Sequence, residues 1–260
     1  MPANPAAFDS HLPAWDAYLT TPWARVRYDV VAHVLDETLA QFGSGPLRVL
    51  DLGGGDGLDS VRLAAMGHQI TIVDQAPGML ERARASARRG GCIDQLRTVQ
   101  SDLLTWRPDQ QYDLALCHFV LPYLDLDDER QVWPLLREVV RPGGTASVVS
   151  LNPVSEVLSA VYRDGDVRLA LRRFDGEPRR TGTFSRQLRS RPRCDVELAA
   201  ADAGFEVARR IGIRVAVDLL PEDPIKYDPQ TYPAILELEL ALAQHQAYLD
   251  AARACQLLMR

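Results

Sequence analysis

Apolar positions along the chain change period several times, and the changes mark out its elements. From Asp29 to Phe42, the residues Val30, Val31, Val34, Leu35, Leu39 and Phe42 recur at spacings that lay one stripe along a helix. The first 45 residues as a whole read as helical, and Gly43-Ser-Gly45-Pro46 ends them. Short β-branched runs then alternate with helical segments. Strands are predicted at Arg48–Leu52, Gln69–Asp74, Leu96–Ser101, Tyr112–His118 and Thr145–Leu151, and helices at Leu58–Met66, Gly78–Arg89 and Asp127–Val140. Such alternation predicts a parallel sheet covered on both faces. The rhythm breaks after Asn152. Pro153 to Arg193 lacks strand signals, Val196–Ala203 reads as a helix stopped by Gly204, and Phe205–Leu220 has a strand pattern. Thr231–Cys255 reads as one long helix and Gln256–Met259 as a last strand. The expectation is one α/β domain over 1–260, doubly wound. It comprises a helical cover (1–45), a core (46–152), an insertion after strand five with an arginine-rich lid and a helix (153–203), and C-terminal strands with a long helix (204–260).

Composition narrows this picture mainly by exclusion. At 260 residues, 47% hydrophobic and 25% charged, the chain matches a soluble globular average. No apolar run approaches the ~18 residues of a membrane span. The acidic N-terminus, MPANPAAFDSHLPAWD, lacks the apolar segment of a signal peptide. Cys92, Cys117, Cys194 and Cys255 are scattered, with no Cys-x-x-Cys pair, which argues against a disulfide framework or a zinc site and suits a cytoplasmic protein. No metal-ligand cluster is apparent. The net charge of −6 does not suggest a nucleic-acid binder. It hides an asymmetry, however: Arg163 to Arg193 holds ten arginines and four acids, while Lys226 is the only lysine in the chain.

The strongest chemical signal is Asp51-Leu52-Gly53-Gly54-Gly55-Asp56-Gly57, which follows a strand directly and opens a helix. Glycines there permit a tight turn and close approach of a ligand. Asp74 ends the second strand, where an acid reaches ribose hydroxyls in nucleotide-binding sheets. The glycine spacing is not Gly-x-Gly-x-x-Gly, Asp56 would repel a pyrophosphate, and no Gly-Lys-Ser/Thr follows. An acid-bearing loop suits a ligand with a cationic end and no phosphates, such as S-adenosylmethionine.

The ordered series VLDLGGGDG, IVDQAPGML, SDLLTW, YDLALCHFVLPYL and RPGG, over about residues 45–152, resembles the motifs of class I S-adenosylmethionine-dependent methyltransferases. The resemblance implies a Rossmann-like, seven-stranded, mostly parallel sheet with an antiparallel last strand. It also implies a cofactor site: Gly53 and Gly54 under the amino acid part, Asp74 on the ribose, Met79 near the adenine, and Asp102 with Leu103 at the adenine amino group, with Asp51 and Gly55 also counted as cofactor-binding. A narrower likeness covers TTPWARVR (20–27), HFVL (118–121), Asn152, GIRV (212–215) and a following Leu-Glu-Leu-Glu helix; these are similar to bacterial tRNA 5-carboxymethoxyuridine methyltransferases. By that likeness Arg27 would hold the cofactor carboxylate, His118 would line the cofactor pocket, and Arg214 would match the arginine gripping the substrate carboxylate. Trp23, Tyr123 and Asn152 join Arg214 as candidate substrate-binding residues. The chain departs from that pattern in having arginines where the relatives have a lysine-rich patch, and in Val215-Ala216-Val217-Asp218 where they have aromatics.

Methyl transfer is an in-line displacement that asks mainly for alignment and electrostatics. His118 is the one candidate for proton transfer, and no residue is marked as a decisive base, which favours an acceptor that is already deprotonated. The expected activity is therefore methyl transfer from S-adenosyl-L-methionine to a small organic acceptor, with a carboxylate in view. The alternative is a tRNA wobble-uridine carboxyl methyltransferase. A nicotinamide dehydrogenase and a non-catalytic cofactor-binding module are rivals from other classes. Under the tRNA reading the insertion's arginines should form one continuous face beside the pocket mouth; under the small-molecule reading they should scatter.

Overall fold

The computed structural model describes residues 11–180, 187–220 and 223–260. Two helices open the chain, α1 (Leu12–Leu19) and α2 (Pro22–Leu39). Thr21 starts α2 by accepting the Ala24 N–H at 3.3 Å, and Pro22 supplies a fixed φ in the first turn. The stripe expected from the sequence is the buried face of α2, which includes Val26, Val30, Val31, Val34 and Leu35.

The core then alternates β1 (Arg48–Leu52), α3 (Val61–Ala65), β2 (Gln69–Asp74), α4 (Pro77–Arg89), β3 (Leu96–Gln100), β4 (Tyr112–His118), α5 (Leu126–Val139) and β5 (Val140–Leu151). Beyond it lie α6 (Pro153–Tyr162), α7 (Val167–Phe174), the two-residue strands β6 (Arg179–Arg180) and β7 (Gln187–Leu188), α8 (Arg193–Asp202), β8 (Val207–Ile213), α9 (Asp223–Tyr227), α10 (Tyr232–Leu242), α11 (Gln246–Leu249) and β9 (Ala254–Met259). The seven-stranded sheet runs β3-β2-β1-β4-β5-β9-β8. β1, β2, β3, β4 and β5 pair in parallel, and β9 is antiparallel to both of its neighbours. The order reverses between β1 and β4, so a crevice opens at their carboxyl ends.

The two-residue period of the strands divides the core. Val49, Leu114 and Leu116 pack into one cluster with α2 and α4, while Leu50, Leu52, Ala115 and Cys117 pack into the other with α5 and α8. Among the described residues no helix is long and apolar enough to cross a membrane.

The strand pattern expected over Phe205–Leu220 is a strand only over Val207–Ile213, and the strand expected at Thr145 begins at Val140; two further boundaries fail for identifiable reasons. The helix predicted at Leu58–Met66 starts only at Val61, because the left-handed Gly57 (φ 72°) prolongs the glycine loop. The long helix predicted over Thr231–Cys255 ends as α10 at Leu242. The Ala243 carbonyl accepts the Gly212 N–H of β8 at 2.6 Å instead of continuing a helical ladder, and the chain then turns into β9 two residues earlier than expected. The insertion also contains a short antiparallel pair, Arg179 with Leu188 and Arg180 with Gln187, where no strand was expected.

Candidate active site

The glycine loop forms the floor of a cavity of about 870 Å³ at the carboxyl ends of β1, β2 and β4. Two of its glycines are dictated by contact. A Cβ on Gly53, whose φ is 65°, would stand 2.5 Å from Val120 Cγ2, and a Cβ on Gly54 would stand 2.4 Å from the Asp51 carboxylate. The loop is tied to β2 twice: Gly53 N–H donates to the Val73 carbonyl at 2.7 Å and Gly55 N–H to Asp74 Oδ2 at 2.9 Å. Asp74 Oδ1 accepts the Ala76 N–H at 2.8 Å. Burial pushes the Asp74 carboxyl above its ordinary range, against the pull of those two N–H groups. Met79 and Leu103 stand beside it as apolar walls, and Asp102 caps its own turn by accepting the Leu104 N–H at 2.9 Å. Asp51 lies buried beneath the loop, and desolvation pushes its carboxyl up to about 7.

A chain of buried polar groups crosses the sheet behind this floor. Gln256 Nε2 on β9 donates to Ser147 Oγ on β5 at 2.9 Å, and Ser147 Oγ meets His118 Nε2 at 2.8 Å. His118 Nδ1 meets Asp59 Oδ2 at 2.9 Å, and Arg27 lies 3.6 Å from the same carboxylate oxygen. The Asp59 carboxylate can only accept, so Nδ1–H donates to it. Burial raises the Asp59 carboxyl, but hydrogen bonding and charge from His118 with charge from Arg27 outweigh it, and the group sits below its ordinary range. Both His118 nitrogens are therefore engaged. The Arg27 guanidinium lies over the Tyr28 and Phe119 rings, each at 4.2 Å, and its buried Nε has no hydrogen-bond partner.

Helix α1 lines the cavity beside the glycine loop. Trp15 Nε1–H donates to Asp56 Oδ2 at 2.6 Å, Trp15 stacks on Tyr18 with ring centroids 5.3 Å apart, and Asp16 pairs with Arg82 of α4. Burial raises the Asp56 carboxyl despite the indole bond. An aromatic edge at Trp15 and an acid at Asp56 give the loop a specific lid contact that sequence reading missed.

The opposite end of the cavity is cationic. Arg163, Arg179, Arg214 and Arg253 line it together with Tyr162, Asp218 and Lys226. Arg214 directly follows β8 with φ 59°, a left-handed backbone uncommon for a residue with a Cβ. The strain is held by Glu239 of α10, fully buried, whose carboxylate accepts the N–H groups of Val215, Ala216 and Val217 at 2.7, 2.9 and 2.7 Å. That is the physical work of the Leu-Glu-Leu-Glu motif. The Arg214 guanidinium pairs with Asp218.

The structure brings Arg27, Asp51, Gly53, Gly54, Gly55, Asp74, Met79, Asp102, Leu103, His118, Trp23, Tyr123 and Arg214 to one cavity. It does not bring Asn152 there. That amide is consumed structurally: Nδ2 donates to the Asp250 and Ala252 carbonyls, both at 2.9 Å, and Oδ1 caps α6 by accepting the Val154 N–H at 3.1 Å. Asp59 and Arg253 were not singled out from sequence, because each stands alone in its segment, and Arg163 and Arg179 were not distinguished from the other arginines of the insertion; only the topology collects them. The insertion's arginines do not form one open face. Arg189 and Arg191 converge on buried Glu129, Arg193 pairs with Glu197 and Asp250, and Arg172 and Arg173 pair with Glu177. Arg186 lies outside the described residues, as does the side chain of Arg180.

Comparison with known proteins agrees with this geometry. A methyltransferase domain family matches residues 49–144. The tRNA 5-carboxymethoxyuridine methyltransferase of Escherichia coli (strain K12) is 29% identical over 236 residues, covering 90% of this chain and 87% of the relative. A ubiquinone biosynthesis O-methyltransferase from Rickettsia canadensis is 24% identical over 172 residues, covering 64% of this chain and 66% of the relative. Among solved structures, magnesium protoporphyrin IX methyltransferase from Synechocystis PCC 6803, solved with bound S-adenosylhomocysteine, superposes with a TM-score of 0.64 at 15% identity, covering 97% of this chain and 94% of the other. The N-methyltransferase NodS of Bradyrhizobium japonicum WM9 gives 0.60 at 15% identity over 98% and 97%.

Proposed function

We propose, from the premise that this chain belongs to the class I S-adenosylmethionine-dependent methyltransferases, that its acceptor is a carboxylate on a small organic molecule held at the arginine-lined end of the cavity. The residues present suit the cofactor. The buried, unpartnered Arg27 Nε marks a place for an anionic group, Asp74 presents a carboxylate beside a backbone cradle, and Met79 and Leu103 offer apolar faces for an aromatic base. In this reading Arg27 with Gly53 and Gly54 holds the amino acid part, Asp74 the ribose hydroxyls, and Asp102 the adenine amino group. Bound there, S-adenosylmethionine supplies a methyl group already activated by a sulfonium.

The protein's share of the work is placement and charge. The acids Asp51, Asp56 and Asp74 line the cofactor half and favour a cation, while the arginines at the other end favour an anion. A carboxylate needs no base at neutral pH. That fits His118, whose two ring nitrogens are committed to Asp59 and Ser147, leaving none to take a proton from the acceptor. His118 then shapes the cofactor wall and holds Asp59. The observation that carries this reading is the set Arg163, Arg179, Arg214 and Arg253 at one end of the same cavity whose other end is acidic. Four unpaired cysteines, three of them buried, suit a reducing cytoplasm as the place of reaction.

A second reading, a carboxylate carried on tRNA, is favoured by the near end-to-end match to the E. coli tRNA enzyme. The scatter of the insertion's arginines weighs against it, since Arg172, Arg173, Arg189, Arg191 and Arg193 pair with Glu177, Glu129, Glu197 and Asp250 and do not line the cavity. Incubation with methyl-labelled S-adenosylmethionine and either a panel of small carboxylic acids or bulk tRNA separates the two. Label on a small acid, released as methanol by alkali, supports the first reading. Alkali-labile label on tRNA transfers the conclusion to the second, and alkali-stable label on any acceptor contradicts both.

A further inference from the structure

We propose that the acceptor carries a second anionic group, a carboxylate or a phosphate, and that Arg253 and Arg179 form the subsite that holds it, separate from the grip of Arg214 on the reacting carboxylate. The inference rests on the carboxylate reading above and extends it to a second position of the substrate.

Arg253, like Arg27, has a buried guanidinium nitrogen without a hydrogen-bond partner among the described residues. The residue is 8% exposed, lines the cavity, and its buried Nη1 has no hydrogen-bond partner. Its backbone is fixed on both sides: the N–H donates to the Arg214 carbonyl at 3.1 Å, and its carbonyl accepts from Asn152 N–H and Ser155 Oγ, both at 3.3 Å. A buried guanidinium nitrogen with no partner costs folding free energy unless a ligand completes it.

The local charges point the same way. Arg253 and Arg179 both face the carboxylate of Glu156, at 3.3 and 3.6 Å, so two guanidiniums pair with one acid there. Glu156 does not neutralise the pair well: its Oε1 makes no hydrogen bond, and burial raises its carboxyl, with Arg253 opposing. Arg214 differs. It has an acid of its own, Asp218, four residues along the same loop. The two arginines, although adjacent in backbone, thus have different partners, Arg214 in the loop after β8 and Arg253 in α6. Two oxyanions, one at each arginine, match that arrangement better than one shared between them. Arg guanidinium suits both carboxylate and phosphate through paired N–H donors.

The test is calorimetric titration of the full chain, saturated with S-adenosylhomocysteine, at fixed ionic strength. The probes are unbranched dicarboxylates of increasing length, monocarboxylates of equal length, and inorganic phosphate. The expected result is a dicarboxylate length that binds about tenfold or more tightly than its monocarboxylate, an advantage erased in Arg253→Gln and reduced in Arg179→Gln, with S-adenosylhomocysteine affinity unchanged in both. Arg179 is on the short hairpin and about a quarter of its side chain is exposed, so its variant keeps the test decisive if Arg253→Gln fails to fold. Phosphate competing with the dicarboxylate but not the monocarboxylate assigns the subsite to a phosphate; no competition assigns it to a carboxylate. Dicarboxylates that bind no better than monocarboxylates overturn the second subsite and leave the carboxylate acceptor standing. Equal loss of monocarboxylate binding in Arg253→Gln and Arg214→Asn overturns it as well, in favour of one shared anion. Neutral amides binding as well as the acids would overturn the carboxylate reading itself.

Discussion

The two ends of the cavity are built in opposite ways. The proposed cofactor end comes from consecutive turns of one parallel sheet: the loop after β1, the end of β2 and the turn after β3 deliver Gly53, Gly54, Asp74, Asp102 and Leu103 from adjacent strands. The proposed acceptor end is collected from α6, β6, the turn after β8 and the entry to β9, which deliver Arg163, Arg179, Arg214 and Arg253 across some 90 residues of sequence. The first end is acidic and backbone-rich; the second is cationic and made of long side chains. A fixed backbone cradle suits a cofactor shared by a whole family, whereas separately supplied side chains let the acceptor change without disturbing it.

The comparison is broken most severely at the glycine loop. Gly53→Val should reduce S-adenosylhomocysteine affinity by more than ~100-fold, because its Cβ meets Val120 and its φ of 65° is strained for any β-branched residue. Calorimetry checks this, and near-normal binding would dissociate the loop from the cofactor. Next is Asp74→Ala, expected to weaken the cofactor by about 1–3 kcal/mol through loss of charge-assisted hydrogen bonds. The acceptor's KM should be little affected at saturating cofactor. Arg214→Asn, chosen because asparagine tolerates the left-handed backbone at φ 59°, should raise acceptor KM about tenfold while the cofactor Kd stays fixed. The reverse pattern, in steady-state kinetics beside calorimetry, would erase the division between the two ends.

The smallest effect is electrostatic. Burial holds the Asp51 carboxyl near 7, so it ionises as pH rises from about 6 to 8. The sulfonium of S-adenosylmethionine gains from that ionisation and the neutral thioether of S-adenosylhomocysteine does not. The ratio of their affinities should rise in favour of the cation by roughly threefold over that range, a differential of about half a pKa unit. A flat ratio would remove Asp51 from the sulfonium's field. For stability the sign is opposite. The folded pKa exceeds the unfolded one, so this carboxyl subtracts stability as pH climbs from about 4 through 7.

The asymmetry also explains what could be read from the sequence. Glycines with steric reasons and an acid at a strand end lie within a few residues of their elements, so their convergence on one cavity was legible, and so was the alternation that builds the parallel sheet. At the acceptor end only Arg214 had a recognisable neighbourhood. Arg253 sits in AARAC with no motif around it, and its role depends on β9 entering between β5 and β8. Asn152 was misassigned because a helix-capping amide and a substrate-binding amide look alike in one dimension; its bonds to the Asp250 and Ala252 carbonyls span about a hundred residues. Glu239 was visible as part of Leu-Glu-Leu-Glu, but its hold on three successive N–H groups requires α10 to lie against the turn after β8. The length of α10 itself was overestimated because the contact that ends it, Gly212 to Ala243, is also tertiary.

The central claim is that one cavity binds a cation at one end and an anion at the other. It is tested most directly by titrating the S-adenosylhomocysteine-saturated protein with a carboxylic acid and with its neutral amide of the same shape. The account predicts that the acid binds at least about tenfold more tightly and that this preference weakens as salt is raised. Equal affinity for acid and amide, insensitive to salt, would contradict it.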